Sequence, residues 1–173
     1  MIAIIPDILL LLFPFLMLAF KLFLTQAQTA HKNFAFAYLF ILLICQNFVL
    51  IGDTQVYFSN WQIDTFGIFM REIFTLSALL ALLLSENYFK HSMSEKPRLL
   101  HFSEFAASIG FATFGGVVVV SANDLLTLFL GLELATIPMY ALVAWNKRDS
   151  EGTEAAIKYI LMGSVATAFE LFG

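Results

Sequence analysis

The sequence predicts an all-α integral membrane protein with six transmembrane helices and an N-terminus on the outer side. Of its 173 residues, 60% are hydrophobic and 13% are charged, whereas a soluble domain is about 45–50% apolar and about 25% charged. A soluble globule of this size could not bury so much apolar surface. The continuous alternation that a membrane β-barrel needs is absent, so we expect helices to be the spanning elements.

Six stretches approach the length of about 20 mainly apolar residues that a transmembrane helix needs. They cover about residues 8–24, 34–51, 66–88, 105–121, 125–145 and 154–173. Pro14 lies inside the first stretch and Pro138 inside the fifth. Because proline lacks a backbone N–H, we expect a kink at each position.

The basic residues indicate the orientation of the chain. Seven of the nine lie in or beside the first, third and fifth connections: Lys21, Lys32, Lys90, Lys96, Arg98, Lys147 and Arg148. The second and fourth connections and the N-terminal tail contain none. Because basic connections stay on the cytoplasmic side, we expect both termini on the outer side of an inner (cell) membrane, with the chain as a multi-pass protein.

Charge and cysteine content exclude several classes of protein. The net charge of −4 argues against a nucleic-acid partner. Cys45 is the only cysteine, which excludes an internal disulfide and a cysteine metal cluster. His31, His91 and His101 lie in or beside basic connections, and we predict that all three are solvated interface residues. The ten-residue spacing of the last two is a poor one for a metal site.

The two longest connections are predicted to lie at the membrane surface. In the second, Tyr57, Phe58 and Trp61 are typical of an interfacial aromatic belt, and a ligand-binding loop is the less favoured alternative. The third, about residues 89–104, is the longest polar segment. Pro97 is expected to break any helix there.

The fourth and fifth spans are predicted to be antiparallel neighbours. They are joined by a very tight turn, in which Asn123 or Asp124 can cap the fifth helix. Gly110, Gly115 and Gly116 leave little side chain on the fourth span, which allows another helix to approach closely.

Glu133 is the first candidate for chemistry. It lies about nine residues from the outer end of the fifth span, or ~13 Å deep, which is close to the midplane. Ionisable residues at this depth are costly and usually face a bundle interior or a water-filled path. Pro138 leaves the carbonyl of Leu134 without its helical partner, and such a loosened backbone suits a water path. A proton relay and a fixed structural ion pair are equally compatible with the residues alone.

Lys158 is the second candidate and lies about four residues inside the sixth span. We estimate an axial gap of ~12 Å to Glu133, so the two side chains should share a polar network without touching. Snorkelling of Lys158 to the interface is a strong alternative. Helical spacing places Lys158 on one face with Met162, Val165 and Phe169.

Three further charged residues lie within spans. Arg71 and Glu72 are adjacent, and neighbours on a helix point about 100° apart, so each needs a partner elsewhere in the bundle. We interpret both as polar contacts that hold helices together, and a role in transport is the less favoured alternative. Glu170 lies near the outer end of the sixth span, where it can reach water.

Two segments resemble a known family. They are DLLTLFLGLELATIPMYALVAW and EAAIKYILMGSVATAFELFG, and the SANDLL turn and Glu104–Phe105 match as well. Together they resemble the antiporter-like membrane subunits of proton-pumping NADH:quinone oxidoreductase (respiratory complex I), in particular the subunit N (subunit 2) family. The resemblance is strong from about Ser103 onward and diffuse before it.

The resemblance implies that Glu133 is the intramembrane glutamate of a proton channel and that Lys158 belongs to the same buried polar axis. It implies three leading helices in residues 1–102 and the start of a first antiporter-like repeat, with helices four to six, in residues 103–173. Family members continue with further spans, so we expect an N-terminal fragment. Glu170 stands where family members are mostly apolar.

The resemblance also implies the partners and cofactors. We expect a membrane subunit that contributes a proton channel, with other membrane subunits of complex I and the lipid bilayer as partners. NADH, FMN, iron–sulfur clusters and quinone are expected in partner subunits, with none in this chain, which lacks a glycine-rich phosphate loop and a cysteine set. The alternatives are a subunit of a cation/proton antiporter and a membrane scaffold that transports nothing.

Overall fold

The computed structural model describes residues 4–23, 28–47, 55–57, 59–92, 97–145 and 150–172, and these form a bundle of helices. The helices are α1 (Ile5–Phe23), α2 (Gln28–Asn47), α3 (Thr65–Ser92), α4 (Pro97–Ser121), α5 (Leu125–Val143) and α6 (Ser150–Phe172). Each predicted span is therefore confirmed as a helix. All but α2 are long and apolar enough to cross a membrane by length and composition. The α2 helix is more polar because it begins with the QTAHKN sequence and ends with Gln46 and Asn47.

The α4 helix lies at the centre of the bundle. It packs against α1, α3 and α5 and also contacts α2. Phe13, Leu39, Leu82, Phe102 and Val117 are fully or almost fully buried in the core that these helices share. The α6 helix packs mainly on α5, and its apolar side chains are exposed almost all round, as expected for surfaces that contact lipid or further helices.

The glycines of α4 allow the close helix contacts that the sequence predicts. A Cβ at Gly115 would lie 2.3 Å from the backbone nitrogen of Ala135 in α5. At Gly116 it would lie 3.1 Å from the ring of Phe74, and at Gly110 it would lie 2.6 Å from the ring of Phe13. Small residues therefore bring α5, α3 and α1 against α4 at three adjoining places.

Several predicted boundaries need correction, among them the start of α2, which lies at Gln28, six residues earlier than predicted. The α4 helix begins at Pro97, eight residues earlier than predicted, so the expectation that Pro97 prevents a helix is wrong. Proline suits the first position of a helix, where no intrahelical N–H bond is required. The α6 helix begins at Ser150, four residues early. Pro14 and Pro138 lie inside α1 and α5 as predicted, and both helices continue past them.

A small β-hairpin in the second connection was not predicted from the sequence. Strand β1 (Gln55–Tyr57) pairs antiparallel with β2 (Trp61–Ile63). Ser59 in its turn adopts φ 59°, a left-handed conformation uncommon for a residue other than glycine. A bridge between Trp61 and Ala122 fixes the hairpin to the α4–α5 turn. Trp61 packs against the helix core, while Phe58 and the Tyr57 side chain lie outside the described part.

Candidate functional site

Glu133 occupies the middle of α5. It lies eight residues after Leu125 and ten before Val143, which corresponds to ~12 Å and ~15 Å of helix. The side chain is half-buried. In the part of the chain that the structure describes, no ion pair or hydrogen bond engages its carboxylate.

Side-chain hydrogen bonds anchor the start of α5. Asp124 is the N-cap, and its Oδ1 accepts from the backbone N–H of Thr127 at 2.9 Å, while its Oδ2 accepts from the Thr127 hydroxyl at 2.7 Å. These hydrogen bonds hold the pKa of Asp124 below its usual value. The predicted cap is confirmed, and it fixes where the helix that presents Glu133 begins.

The backbone around Glu133 has fewer helical hydrogen bonds than a regular helix. Pro138 supplies no N–H to the carbonyl of Leu134. Two residues before Pro138, the hydroxyl of Thr136 donates to the carbonyls of Leu132 (3.0 Å) and Glu133 (3.4 Å). Such back-bonding competes with the helical ladder and often bends a helix.

Helix periodicity shows which way Glu133 faces. Gly131 and Ala135 contact α4, and Glu133 lies about 180° from their midpoint at 100° per residue. Tyr140 follows Glu133 by seven residues, which is close to two full turns and therefore the same face. The Tyr140 ring contacts Tyr159 of α6 edge-on at 4.9 Å between centroids. Glu133 thus faces the α6 side of α5.

The same contact sets the register of the two helices. A Cβ at Gly163 would lie 2.0 Å from the Tyr140 hydroxyl, so Tyr140 and Gly163 lie opposite each other. Glu133 lies seven residues before Tyr140, and Glu170 lies seven residues after Gly163. Because α5 and α6 are antiparallel, the two glutamates come to similar depths on facing sides of these helices. Glu170 is exposed.

Lys158 lies elsewhere on α6. Ala156 and Gly163 face α5, and Lys158 lies about 200° from Ala156 around the helix, so it points away. Its Nζ pairs with Glu154 Oε1 at 2.5 Å in an i,i+4 contact, with 71% of the Lys158 side chain exposed. Counted from the contact of Tyr140 with α6, Lys158 and Glu133 are at least ~12 Å apart along the helix axis. As predicted, they do not touch.

The structure also contains a buried polar network, only part of which was predicted from the sequence. Arg71 of α3 is 3% exposed, and its Nε donates to Oδ1 of Asp7 in α1 at 3.0 Å. A second nitrogen donates to the hydroxyl of Ser121 in α4 at 2.5 Å. The Arg71 carbonyl accepts from Thr75, which in turn accepts from Gln46 of α2 at 3.0 Å. Residues from four helices therefore meet around one guanidinium.

The predicted partner for Arg71 elsewhere in the bundle is therefore confirmed, and Asp7 is the residue that was missed. The predicted first span began at residue 8, which placed Asp7 outside the membrane. Arg71 itself could have indicated this partner, because a buried guanidinium needs a carboxylate at a matching depth. Asp7, two residues after the start of α1, satisfies that need.

The opposite end of the bundle corrects the interpretation of His31. It is 3% exposed rather than solvated, its Nδ1 lies 3.2 Å from the Ser103 hydroxyl, and it contacts Phe20 edge-on. The neighbouring Lys32 is 8% exposed, with its Nζ 5.8 Å from the Phe102 ring centroid. Ser103 and Phe102, which contact these two residues, belong to α4 because that helix begins earlier than predicted. The side chains of His91 and His101 lie outside the described part.

An ion pair closes the same end. Lys21, in the last turn of α1, pairs with Glu104 of α4. Glu104 is one of the residues that carry the family resemblance. In this structure it holds α1 to α4 at the predicted cytoplasmic end.

Sequence comparison assigns the region around Glu133 to a family. A family model described as "NADH:quinone oxidoreductase/Mrp antiporter, TM" matches residues 122–173, which contain α5 and α6. NADH-quinone oxidoreductase subunit N of Heliobacterium modesticaldum is 37% identical over 153 residues, covering 87% of this chain and 31% of the relative. The chain is related to subunit N.

Other relatives of this family carry different names. NAD(P)H-quinone oxidoreductase subunit 2 of the Chlorokybus atmophyticus chloroplast is 34% identical over 136 residues, or 76% of this chain and 25% of the relative. F(420)H(2) dehydrogenase subunit N of Methanosarcina mazei is 36% identical over 118 residues, or 68% and 22%. The chain spans less than a third of the length of these relatives, a coverage that fits the expected N-terminal part.

A solved structure shows the same fold. A chain of respiratory complex I from Thermus thermophilus, determined with bound aureothin, matches with a TM-score of 0.76 at 24% identity. The match covers 97% of this chain and 35% of that chain. The chain therefore shares its arrangement of helices with that part of the Thermus thermophilus chain.

Proposed function

We propose that this chain is part of a membrane subunit of a redox-driven proton pump, and that Glu133 carries a proton within it. The observation that carries the proposal is the position of Glu133. A half-buried carboxylate in the middle of α5, with no cation beside it in the described residues, lies within the segment shared with the family. Carboxylates within membrane spans commonly mark the proton relays of pumps and transporters.

Lys158 is proposed to serve the same path at a distance. The axial separation from Glu133 and its direction away from α5 exclude direct proton transfer between them. Water or further side chains must therefore connect the two. The ion pair with Glu154 places the Lys158 amine at its end of α6.

The redox chemistry is proposed to occur in partner subunits. The relatives are named for NADH, NAD(P)H and F(420)H(2) as electron donors although they are similarly related to this chain. A membrane subunit that did not contact the donor would tolerate such exchange. We therefore place NADH, FMN, iron–sulfur clusters and quinone in other subunits, and the chain in the inner (cell) membrane beside other membrane subunits and lipid.

The division of the chain is also a proposal. We place three leading helices first and the start of the antiporter-like repeat after them. The boundary expected at residue 103 lies inside α4, which begins at Pro97, so the repeat is proposed to begin with α4. The central position of α4, which packs against both α1 and α5, supports one continuous bundle across that boundary.

A cation/proton antiporter subunit is the second candidate. The matching family description includes the Mrp antiporter, and a carboxylate such as Glu133 would serve either protein. The genes next to this one separate the two functions. Dehydrogenase subunit genes support the pump, and a set of small antiporter genes supports the alternative.

The test replaces Glu133 by glutamine, which keeps the shape and removes the titratable proton. In membrane vesicles that contain the partner subunits, quinone-linked acidification should fall to near background while the complex remains assembled. Glu151→Gln, the same change in the exposed first turn of α6, is the matched control and should pump normally. Normal pumping by Glu133→Gln would show that the residue is structural.

A further inference from the structure

An apolar cavity of about 220 Å³ lies between α1 and α4, at the end of the bundle that carries the hairpin. Ile4, Ile8 and Leu11 line it from α1, and Phe114 lines it from α4. The three α1 positions follow one another at helical spacing, so the cavity runs along the helix axis for seven residues, or ~10 Å. It belongs neither to the Glu133 region nor to the contact of α5 with α6.

The chemistry of the cavity fits a hydrocarbon occupant. Asp7 and Trp61 also line it, but Oδ2 of Asp7 and Nε1 of Trp61 are buried where a water molecule does not reach them. The cavity therefore meets mainly carbon atoms. Apolar cavities of comparable size stay free of water and take up apolar ligands. Such an occupant supplies dispersion contacts that the lining side chains otherwise lack.

The cavity opens on the outer surface of the bundle. Ile8 lines the cavity and is also 49% exposed, and Ile5, Leu12 and Phe15 continue the same exposed apolar stripe along α1. One turn beyond the cavity, the Phe15 ring contacts the Phe111 ring of α4 edge-on, with 5.4 Å between centroids. This ring pair joins α1 to α4, so it bounds the cavity on the side away from the hairpin. A chain that enters at Ile8 thus lies parallel to the helices, as lipid tails do.

The dimensions of the cavity favour a single lipid tail over a helix of another subunit. One turn of an α-helix with its side chains is about 10–12 Å across and about 5.4 Å long, which corresponds to roughly 400–600 Å³. That volume is roughly two to three times the volume of the cavity. A helix can therefore lie over the cavity but cannot enter it, whereas a hydrocarbon chain is narrow enough to do so.

The charges at the hairpin end favour a zwitterionic headgroup. The connections at this end, residues 48–64 and 122–124, contain Asp53, Asp64 and Asp124 and no lysine or arginine. Anionic headgroups bind to clusters of basic residues, which these connections do not offer. Arg71 is 97% buried and paired with Asp7, so it does not serve a headgroup. Surface carboxylates attract the ammonium group of a zwitterionic lipid.

We propose that this cavity binds one acyl chain of a zwitterionic phospholipid of the phosphatidylethanolamine class, with the headgroup beside the hairpin. The tail lies between Ile8 and Phe114 and adds apolar contacts between α1 and α4. It does so at the end of the bundle where Asp7 and Arg71 pair. The inference is independent of Glu133 and of the direction of insertion.

Photolabelling tests the site in membranes that contain the partner subunits. The probes are phosphatidylethanolamine and phosphatidylglycerol that carry the same diazirine in an acyl chain, and mass spectrometry of the labelled peptides locates the adducts. The measured quantity is the fraction of all adducts on this chain that fall on residues 4–11 and on Phe114. This fraction should be several-fold larger for the ethanolamine lipid. Equal fractions would show contact with bulk lipid only, and no adducts at the cavity would show that a partner side chain fills it; either result refutes the proposal.

Two substitutions separate the cavity from the surface beside it. Leu11→Phe adds volume inside the cavity, and Leu12→Phe makes the same change at a neighbouring residue that is exposed on the outside of the bundle. The first should reduce labelling of Phe114 by the ethanolamine lipid several-fold, and the second should leave it unchanged. Equal labelling in the two variants would place the lipid outside the cavity. The comparison of the two lipids on the wild-type chain needs no substitution, so it decides the question even where a variant fails to assemble.

Discussion

Replacing Gly115 by alanine is expected to force α4 and α5 apart. The new Cβ would lie 2.3 Å from the nitrogen, 2.7 Å from the Cα of Ala135 and 2.8 Å from the carbonyl carbon of Leu134. All three are backbone atoms of a helix, so no rotamer change can relieve the contact. Ordinary van der Waals contact begins at 3.4 Å, so the helices must separate locally by about 1.1 Å.

The neighbouring Gly116 provides the matched control. Its Cβ would meet the Phe74 ring at 3.1 Å, and a ring can tilt by the few tenths of an ångström that are needed. Both glycines lie in the interior of α4, so the gain in helix propensity of about 0.5–1 kcal/mol on going to alanine is common to both. The difference between the two variants therefore isolates the steric cost.

Overpacking typically costs 1–3 kcal/mol, and we expect Gly115→Ala to lie near the upper end, roughly 2–3 kcal/mol less stable than Gly116→Ala. The measurement is the free energy of unfolding of each variant in lipid bicelles, by steric trapping. Equal stability of the two variants would refute the close contact between α4 and α5, and with it the direction in which Glu133 faces.

The remaining predictions concern the ion pair, the cap and the orientation. Asp7→Leu or Arg71→Met alone should destabilise the bundle by about 3–5 kcal/mol, because the remaining charge is buried without its partner. In a double-mutant cycle, the double variant should recover most of this loss of stability, and additive losses would contradict the pairing. The lowered pKa of Asp124 means that its capping is complete above the ordinary carboxyl value of 3.8 and is lost as pH falls through the lower folded value. In hydrogen exchange, the amides in the first turn of α5 should therefore lose protection in the wild-type chain as the pH drops through the folded pKa of Asp124, and should keep it in Asp124→Asn. The same pH dependence of protection in both chains would contradict the cap. Impermeant labelling should find a cysteine at Ser59 on the outer face and one at Ser92 on the cytoplasmic face, whereas the reverse result would overturn the orientation.

The residues that local patterns determine could be predicted from the sequence. The length of the apolar stretches predicts the helices, because a helix satisfies its backbone hydrogen bonds within one continuous segment. The Asp124 cap and the small face at Gly115 follow from side chains acting over a few residues. The Glu133 position at mid-helix needed no more than counting along α5.

The longer-range features could not be obtained in this way. The Asp7–Arg71 pair joins residues 64 apart in sequence, and buried His31 contacts Ser103, which is 72 residues away. The hairpin was missed because its strands are three residues each, too short for a periodic signal.

The sequence by itself determined that this is a helical membrane protein with a carboxylate in the middle of an apolar helix, because those properties depend on composition and on distance along one helix. The tertiary structure decided which charges meet. Rotation and depth of each helix are set by side-chain packing, here by Gly115 against Ala135 and by Tyr140 against Gly163. That packing turns Glu133 toward α6 and Lys158 away from it, and it brings Asp7 to the depth of Arg71.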